Sequence, residues 1–383
     1  MRRARPGPAR FDIADIVRAH RAELESVRRL TRSQKRVLTD VAQCRTAVLG
    51  GHLDRCEACG YEHPAYNSCR NRHCPKCQAL AQETWIQARR QRLLDVRHFH
   101  VVFTLPSELR PLAAFAPRVV FDALMRAAQR TLLAFGKTRL RARIGATLVL
   151  HTWTRKLEFH PHVHALVTGG GLSADGATWR PTPRRFLFPV RPMGQVLRGK
   201  MITALGDAYR DGAFDDFDDF RDPEGFARLM ARVAKLSWNV YAKAPFKKGR
   251  HVLDYLGRYT HRVGIANSRL LAVSPRAVTF RTKGHATETV SPVVFLRRFV
   301  QHVLPDRFHK IRHVGLYAPA AALRREQARA RIGSSARPLR HRTGRERLES
   351  LTSRDASRCP RCGGPWVTLV VPPACRDPPA RAA

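Results

Sequence analysis

Apolar and polar positions along the chain follow two different periods, which predict helices and strands in turn. Apolar residues three or four apart predict helices over residues 10 to 43, 78 to 96, 112 to 136 and 194 to 235. Stretches rich in β-branched and aromatic residues predict strands over residues 98 to 106, 147 to 153 and 162 to 168. The last two form a candidate antiparallel pair joined by a basic turn. This mixture indicates an α+β protein.

The strand predicted over residues 162 to 168 carries His162 and His164 with one apolar residue between them. Successive side chains of a strand point to opposite faces, so both imidazoles project from the same face. His151 lies upstream on the neighbouring predicted strand. Three imidazoles meeting on one sheet face would form a divalent-metal site with open positions for a substrate.

Other residues near this site receive different predictions. His160 is separated from His162 by a proline, and we expect it to support the site without binding the ion. A second pair, His98 and His100, is expected to be buried or hydrogen-bonded, because its strand ends in Thr-Leu-Pro with no glycine turn behind it. Residues 169 to 171, three glycines, are expected to form a turn after the strand.

The charge of the chain points to a polyanionic partner. It has 70 Lys and Arg against 30 Asp and Glu, a formal net charge of +40 and a pI near 11.4. No stretch approaches the roughly 18 apolar residues of a membrane-spanning helix, so nucleic acid is favoured over a membrane. No secretory signal is visible, because the basic start is not followed by an apolar core, and a reducing cytosol is expected.

Six of the nine cysteines fall between Cys44 and Cys77. Two Cys-x-x-Cys pairs in this block are separated by 14 residues, which is typical of a zinc module, with these ligands: Cys56, Cys59, Cys74 and Cys77. Cys44 and Cys69 are left over, and they complete a second ion or replace one of the four. Near the other end of the chain, Cys359 and Cys362 form half of a zinc knuckle. Only Cys375 follows them, so a complete site would have to borrow a ligand.

A helix predicted over residues 251 to 262 carries Tyr255 and Tyr259, four positions apart and therefore on one face. The alternative is an ordinary aromatic pair packed on a core. Basic residues before and along this helix are predicted to contact the backbone of DNA, or else to be solvated charges: Lys243, Lys247, Lys248, Arg250, Arg258 and Arg262.

Several motifs in one order resemble the rolling-circle transposases of the insertion sequence 91 family, two-tyrosine members of the HUH superfamily of single-strand endonucleases. The resemblance covers about residues 40 to 316. The motifs are SCRNRHCPKCQ, HFHVVFTLP, HPHVHALVTGGGL, YLGRYTHRVGIANSRL and FHKIRHVGLYAP.

The resemblance implies an HUH endonuclease core, a central antiparallel sheet flanked by helices, preceded by a helical and zinc-binding domain. It implies that His162 and His164, with His151 as third arm, bind a divalent ion, magnesium or manganese in use. Tyr255 and Tyr259 would be the nucleophiles. The partners would be single-stranded DNA at the element ends and target DNA. The protein would be located in the bacterial cytoplasm, associated with the nucleoid.

We therefore expect three segments: a helical and zinc-binding domain over residues 1–95, a nuclease and strand-transferase domain over 96–318, and a basic, mobile tail over 319–383. Other functions are also considered. One is a plasmid replication initiator or relaxase of the same superfamily. Another is a non-catalytic zinc-finger DNA-binding protein, and a third is a three-histidine zinc hydrolase.

Overall fold

A computed structural model describes residues 10–220, 222, 224–246, 257 and 264–335, then 342–373 except 345, 348, 350–354 and 356. In chain order the helices and strands are α1 (Ile13–Val27), α2 (Arg32–Gln43), β1 (Gly51–Cys56), β2 (Glu62–Tyr66), α3 (Gln78–Arg92), β3 (His98–Thr104), α4 (Arg110–Phe115), α5 (Pro117–Arg139), β4 (Ala142–Trp153), β5 (Phe159–Ser173), β6 (Trp179–Pro181), α6 (Val190–Arg210), α7 (Gly225–Lys235), β7 (Val240–Phe246), β8 (Leu270–Val273), β9 (Val278–Arg281), β10 (Thr287–Val290), α8 (Pro292–Val300), β11 (Ile311–Gly315), α9 (Ala322–Ile332) and β12 (Trp366–Val371). Among these described helices, none has the length and apolar character needed to cross a membrane.

The chain divides into two compact units, and neither is continuous in sequence. The first unit combines Met1–Thr84, His261–Val303 and Arg340–Ala383, and the second combines Trp85–Thr260 and Leu304–Leu339. This division differs from the three consecutive segments expected from the sequence. The C-terminal cysteine knuckle and β12 fold with the N-terminal cysteine block, because β12 pairs with β1.

The first unit contains a group of helices and two small sheets. Helix α1 begins at an Asp12 cap, and α2 begins with a capping box between Thr31 and Gln34. The buried apolar face of α1 packs against α2 and α8. One three-stranded sheet has the order β12-β1-β2, and the other has the order β10-β9-β8.

The second unit is built around an antiparallel sheet with the order β11-β4-β5-β3-β7, and β6 also pairs with β5. Alternate residues of β3, such as Phe99 and Val101, enter a core shared with α5 and α6. The residues that alternate with them, His98 and His100, point to the opposite face, as the period of two requires. The predicted α+β class with a central antiparallel sheet and flanking helices is confirmed.

The glycines at 169 to 171 were predicted to form a turn, and this prediction is wrong. They lie inside β5, which continues to Ser173. A Cβ on Gly171 would lie 2.8 Å from the Arg143 carbonyl oxygen on β4, and one on Gly170 would lie 2.7 Å from the Trp179 ring. These glycines therefore allow strands to approach closely within the sheet.

Candidate metal centre on the histidine face

Three histidines meet on the sheet face that turns away from the α5 and α6 core. His151 of β4 and His162 of β5 are directly paired across the two strands, and His164 follows two residues later. The ring centroids of His151 and His164 are 4.3 Å apart, and those of His162 and His164 are 4.7 Å apart. The structure thus brings together all three residues that the sequence proposed.

The nitrogen atoms of this cluster fit a single metal ion. One ring nitrogen from each histidine lies within 4.8 Å of the others, and the Nε2 atoms of His162 and His164 are 3.0 Å apart. Two imidazole nitrogens bound at a right angle to one ion, each at about 2.1 Å, are about 3.0 Å apart. The donor set therefore suits a divalent ion.

Neighbouring groups hold two of these rings in the tautomer that a metal needs. His162 Nδ1 donates a hydrogen bond to the His160 carbonyl oxygen at 2.7 Å, which leaves the lone pair of Nε2 free to face the cluster. His164 Nδ1 lies 2.7 Å from His100 Nε2. When His164 donates in that bond, its own Nε2 lone pair turns toward His162.

Burial keeps the imidazoles of the cluster unprotonated. It lowers the pKa of His162 to about 4, and burial together with the neighbouring His162 lowers the pKa of His164 to about 2. At neutral pH both rings are neutral, which is the form that binds a metal.

The flanking histidines are hydrogen-bonded, and His98 and His100 are also buried, as predicted for that pair. His98 Nε2 lies 2.6 Å from the Tyr317 hydroxyl, and both side chains are buried. His160 Nδ1 accepts a hydrogen bond from Arg110 at 2.9 Å, and the His160 carbonyl oxygen accepts the hydrogen bond from His162 Nδ1. His100 differs from these two, because it contacts His164, a residue of the histidine cluster itself.

The predicted nucleophiles and most of the predicted DNA contacts fall outside the described residues. Those positions are Tyr255, Tyr259, Lys247, Lys248, Arg250, Arg258 and Arg262. Within the same stretch, Gly257 has helical backbone and is buried. Lys243 is among the described residues and lies on β7 opposite His100. Burial is the main cause that lowers the pKa of His100 and His164, and the positive charge of Lys243 is a smaller cause that acts in the same direction.

The four cysteines expected to share one zinc do not lie together. Cys74 and Cys77 lie with Cys44 and Cys69, whereas Cys56 and Cys59 lie with Cys359 and Cys362. All eight are free thiols. The grouping predicted from the sequence is therefore wrong, because the two Cys-x-x-Cys pairs that are neighbours in the sequence belong to different groups in the structure.

The sequence held a partial signal for both groups. Cys44 and Cys69 stood out as unassigned cysteines beside the two pairs, and the knuckle of Cys359 and Cys362 lacked two ligands. Only the pairing of β12 with β1 joins that knuckle to Cys56 and Cys59.

Comparison with known proteins gives consistent matches to transposases. The family described as "Transposase zinc-binding domain" matches residues 16–105, and the family described as "Putative transposase" matches residues 145–326. A protein of Sinorhizobium fredii described as "Putative transposase y4qJ" is 40% identical over 98% of this chain and 99% of its own length. The "Transposase for insertion sequence element IS801" of Pseudomonas savastanoi pv. phaseolicola is 33% identical over 73% of this chain and 69% of its own length. No solved structure matches the chain significantly.

Proposed function

Since this chain belongs to the insertion sequence 91 family of transposases, we propose that it cuts and rejoins single strands of DNA at the ends of a mobile element. The reaction is a transesterification by tyrosine that depends on a divalent metal. The observation that carries the proposal is the cluster of three histidine nitrogens on the face of β4 and β5. A protein of this charge that works on DNA is expected in the bacterial nucleoid.

His151, His162 and His164 are the proposed ligands of magnesium or manganese. When bound, such an ion polarises a phosphate oxygen and offsets charge in the transition state. The chain's own part is to keep the imidazoles neutral and correctly turned. Burial keeps the imidazoles neutral, and hydrogen bonds with the His160 carbonyl and with His100 fix the orientation of the His162 and His164 rings.

Tyr255 and Tyr259, which lie outside the described residues, are the proposed nucleophiles. A phenolate oxygen attacks phosphorus, and the bond from phosphorus to the 3′ oxygen breaks. The upstream fragment leaves with a 3′ hydroxyl, and the downstream fragment stays on the protein as a 5′ phosphotyrosine. One phosphoester replaces another, so the strand can be resealed without ATP. The second tyrosine allows another strand to be cut while the first linkage is held.

Positive charge on the second unit supports a DNA substrate. Lys243 lies beside the histidine cluster. On α3, burial and then the charges of Arg92 and Arg325 lower the pKa of Arg89, whose guanidinium also contacts His313 Nε2 at 2.9 Å. Like charges this close to one another are stabilised by an anion such as a DNA phosphate.

The test uses two oligonucleotides that carry the element end, one labelled at its 5′ end and one at its 3′ end. With manganese, the 3′ label should move with the protein in a denaturing gel, and the 5′ label should appear in a shorter free fragment. The Tyr255→Phe, Tyr259→Phe double variant should form no adduct. Tyr241→Phe, an exposed tyrosine on β7, is the matched control and should behave as the unaltered protein.

The other functions give different results in the same gel. A non-catalytic zinc-finger protein would bind the oligonucleotide and form no product with any metal, whereas a zinc hydrolase would cut it without an adduct. A relaxase or replication initiator would form the adduct at a plasmid origin and not at an element end. Unchanged adduct in the double variant would refute the assignment of the tyrosines.

A further inference from the structure

Two knuckles from distant parts of the first unit have the same backbone turn. In the first, Gly60 N–H donates to the Cys56 carbonyl at 3.0 Å, and in the second, Gly363 N–H donates to the Cys359 carbonyl at 2.9 Å. Both glycines have positive φ, 67° and 76°. Each turn presents the two thiols of a Cys-x-x-Cys pair on the same side.

The four thiols of these knuckles lie at distances that suit a tetrahedral ion. The sulfur atoms of Cys56 and Cys362 are 3.4 Å apart, and those of Cys59 and Cys359 are 3.8 Å apart. Thiolates bound tetrahedrally to zinc at about 2.3 Å lie about 3.8 Å from one another. A disulfide requires about 2.05 Å, so the sulfurs are not bonded in pairs.

Backbone groups of the second knuckle support thiolates. The N–H of Arg361 points at the Cys359 sulfur and the N–H of Gly364 points at the Cys362 sulfur, each at 3.4 Å. Hydrogen bonds from N–H groups stabilise the charged form of a thiol, which is the form that binds a metal.

The surrounding strands hold the two knuckles in register. Strand β12 pairs with β1 from Gly51 opposite Val371 to Cys56 opposite Trp366. A Cβ on Gly364 would lie 2.8 Å from Ala58 Cβ and 3.1 Å from the Cys56 sulfur, so only glycine fits between the knuckles. The juxtaposition thus depends on contacts along a whole strand and not on one pair of side chains.

We propose that a zinc ion binds Cys56, Cys59, Cys359 and Cys362, separately from a zinc ion at Cys44, Cys69, Cys74 and Cys77. The zinc-binding family match ends at residue 105 and contains neither Cys359 nor Cys362. The second ion joins the C-terminal strand β12 to the N-terminal hairpin of β1 and β2. This inference is independent of the DNA chemistry proposed above.

Zinc release from the full chain tests the proposal. After dialysis against a weak chelator, a mercurial that attacks thiolates should release two equivalents of zinc per chain into a chromogenic indicator. The Cys359→Ser, Cys362→Ser variant should release one equivalent. Cys375→Ser, the matched control, should still release two. Two equivalents from the double variant, or a single equivalent from the unaltered chain, would overturn the proposal.

Cobalt gives a readout that needs no substitution. Thiolate-bound cobalt is coloured, and its absorbance in the metal-free full chain should saturate at two equivalents. Saturation at one equivalent would contradict two separate sites. Elemental analysis of the protein as purified should find zinc, and stoichiometric iron in place of the second zinc would contradict the assignment of the metal.

Discussion

His162 and His164 depend on different neighbours for the orientation of their rings. His162 is held by a backbone carbonyl, which no substitution removes directly, but His164 is held by the side chain of His100 at 2.7 Å. A ring that loses such a partner rotates and changes tautomer more freely, and metal affinity falls with it. His100 would therefore position His164 for the proposed metal ion.

His100→Phe should weaken manganese binding by about 10-fold to 100-fold, because His164 loses its partner. Calorimetry on the purified chain measures this. His98→Phe is the matched control, since His98 shares the strand and the face but contacts Tyr317. His100→Gln keeps an acceptor and should recover most of the affinity. Equal weakening in both phenylalanine variants would mean that the effect is only structural.

At the scale of elements, β5 provides both the histidines and the glycines. Its length allows the histidines to lie at one end and the glycines at the other, where the β4 and β5 pairing shifts register between Ile144 and Ala146. The glycines are needed where the neighbouring backbone comes closest. One end of the strand thus provides the candidate metal ligands, and the other end allows close packing against the neighbouring strands.

Gly171→Ala should lower the free energy of unfolding by about 1–3 kcal/mol, because its Cβ would collide with the Arg143 carbonyl of β4 at 2.8 Å. Gly199→Ala is the control: its Cβ meets nothing within 4 Å on helix α6, and it should stabilise by about 0.5–1 kcal/mol. Thermal unfolding of both variants measures the difference. An unchanged melting temperature for Gly171→Ala would contradict the packing argument.

The sequence predicted those features of the fold and site that depend only on residues close together in the chain. The alternation of side chains placed His162 and His164 on one face, and the antiparallel pair placed His151 on the neighbouring strand, where it pairs with His162. The glycine run was misjudged, because a glycine required by strand packing and one required by a turn look the same in sequence. The group of Cys56, Cys59, Cys359 and Cys362 could not be completed from the sequence, since it depends on which strand lies beside β1.

At the scale of the whole molecule, charge dominates the expected behaviour. The net charge of +40 comes from residues spread along the chain and not from one segment. Such a protein binds DNA partly by releasing counterions, whatever the sequence of the DNA. Its affinity for DNA should therefore fall as the salt concentration rises.

Affinity for a single-stranded oligonucleotide should fall about 300-fold when salt rises fourfold, if about six phosphates are neutralised, since each contributes about 0.7 to the slope. Fluorescence anisotropy across a salt series measures this. An oligonucleotide of the same bases with an uncharged methylphosphonate backbone is the control and should show almost no slope. A flat response with ordinary DNA would show that the positive charge does not contact the backbone.

The path of the chain through the first unit also has a consequence for synthesis. Strand β1 completes its sheet only with β12, and Cys59 and Cys359 are 300 residues apart. A ribosome adding roughly 5–20 residues per second needs about 15–60 s between them. During that time β1 and β2 exist only as a two-stranded hairpin, which is marginally stable in water. The nascent protein therefore acquires a complete first unit only after translation has passed Val371, and a truncated product never does.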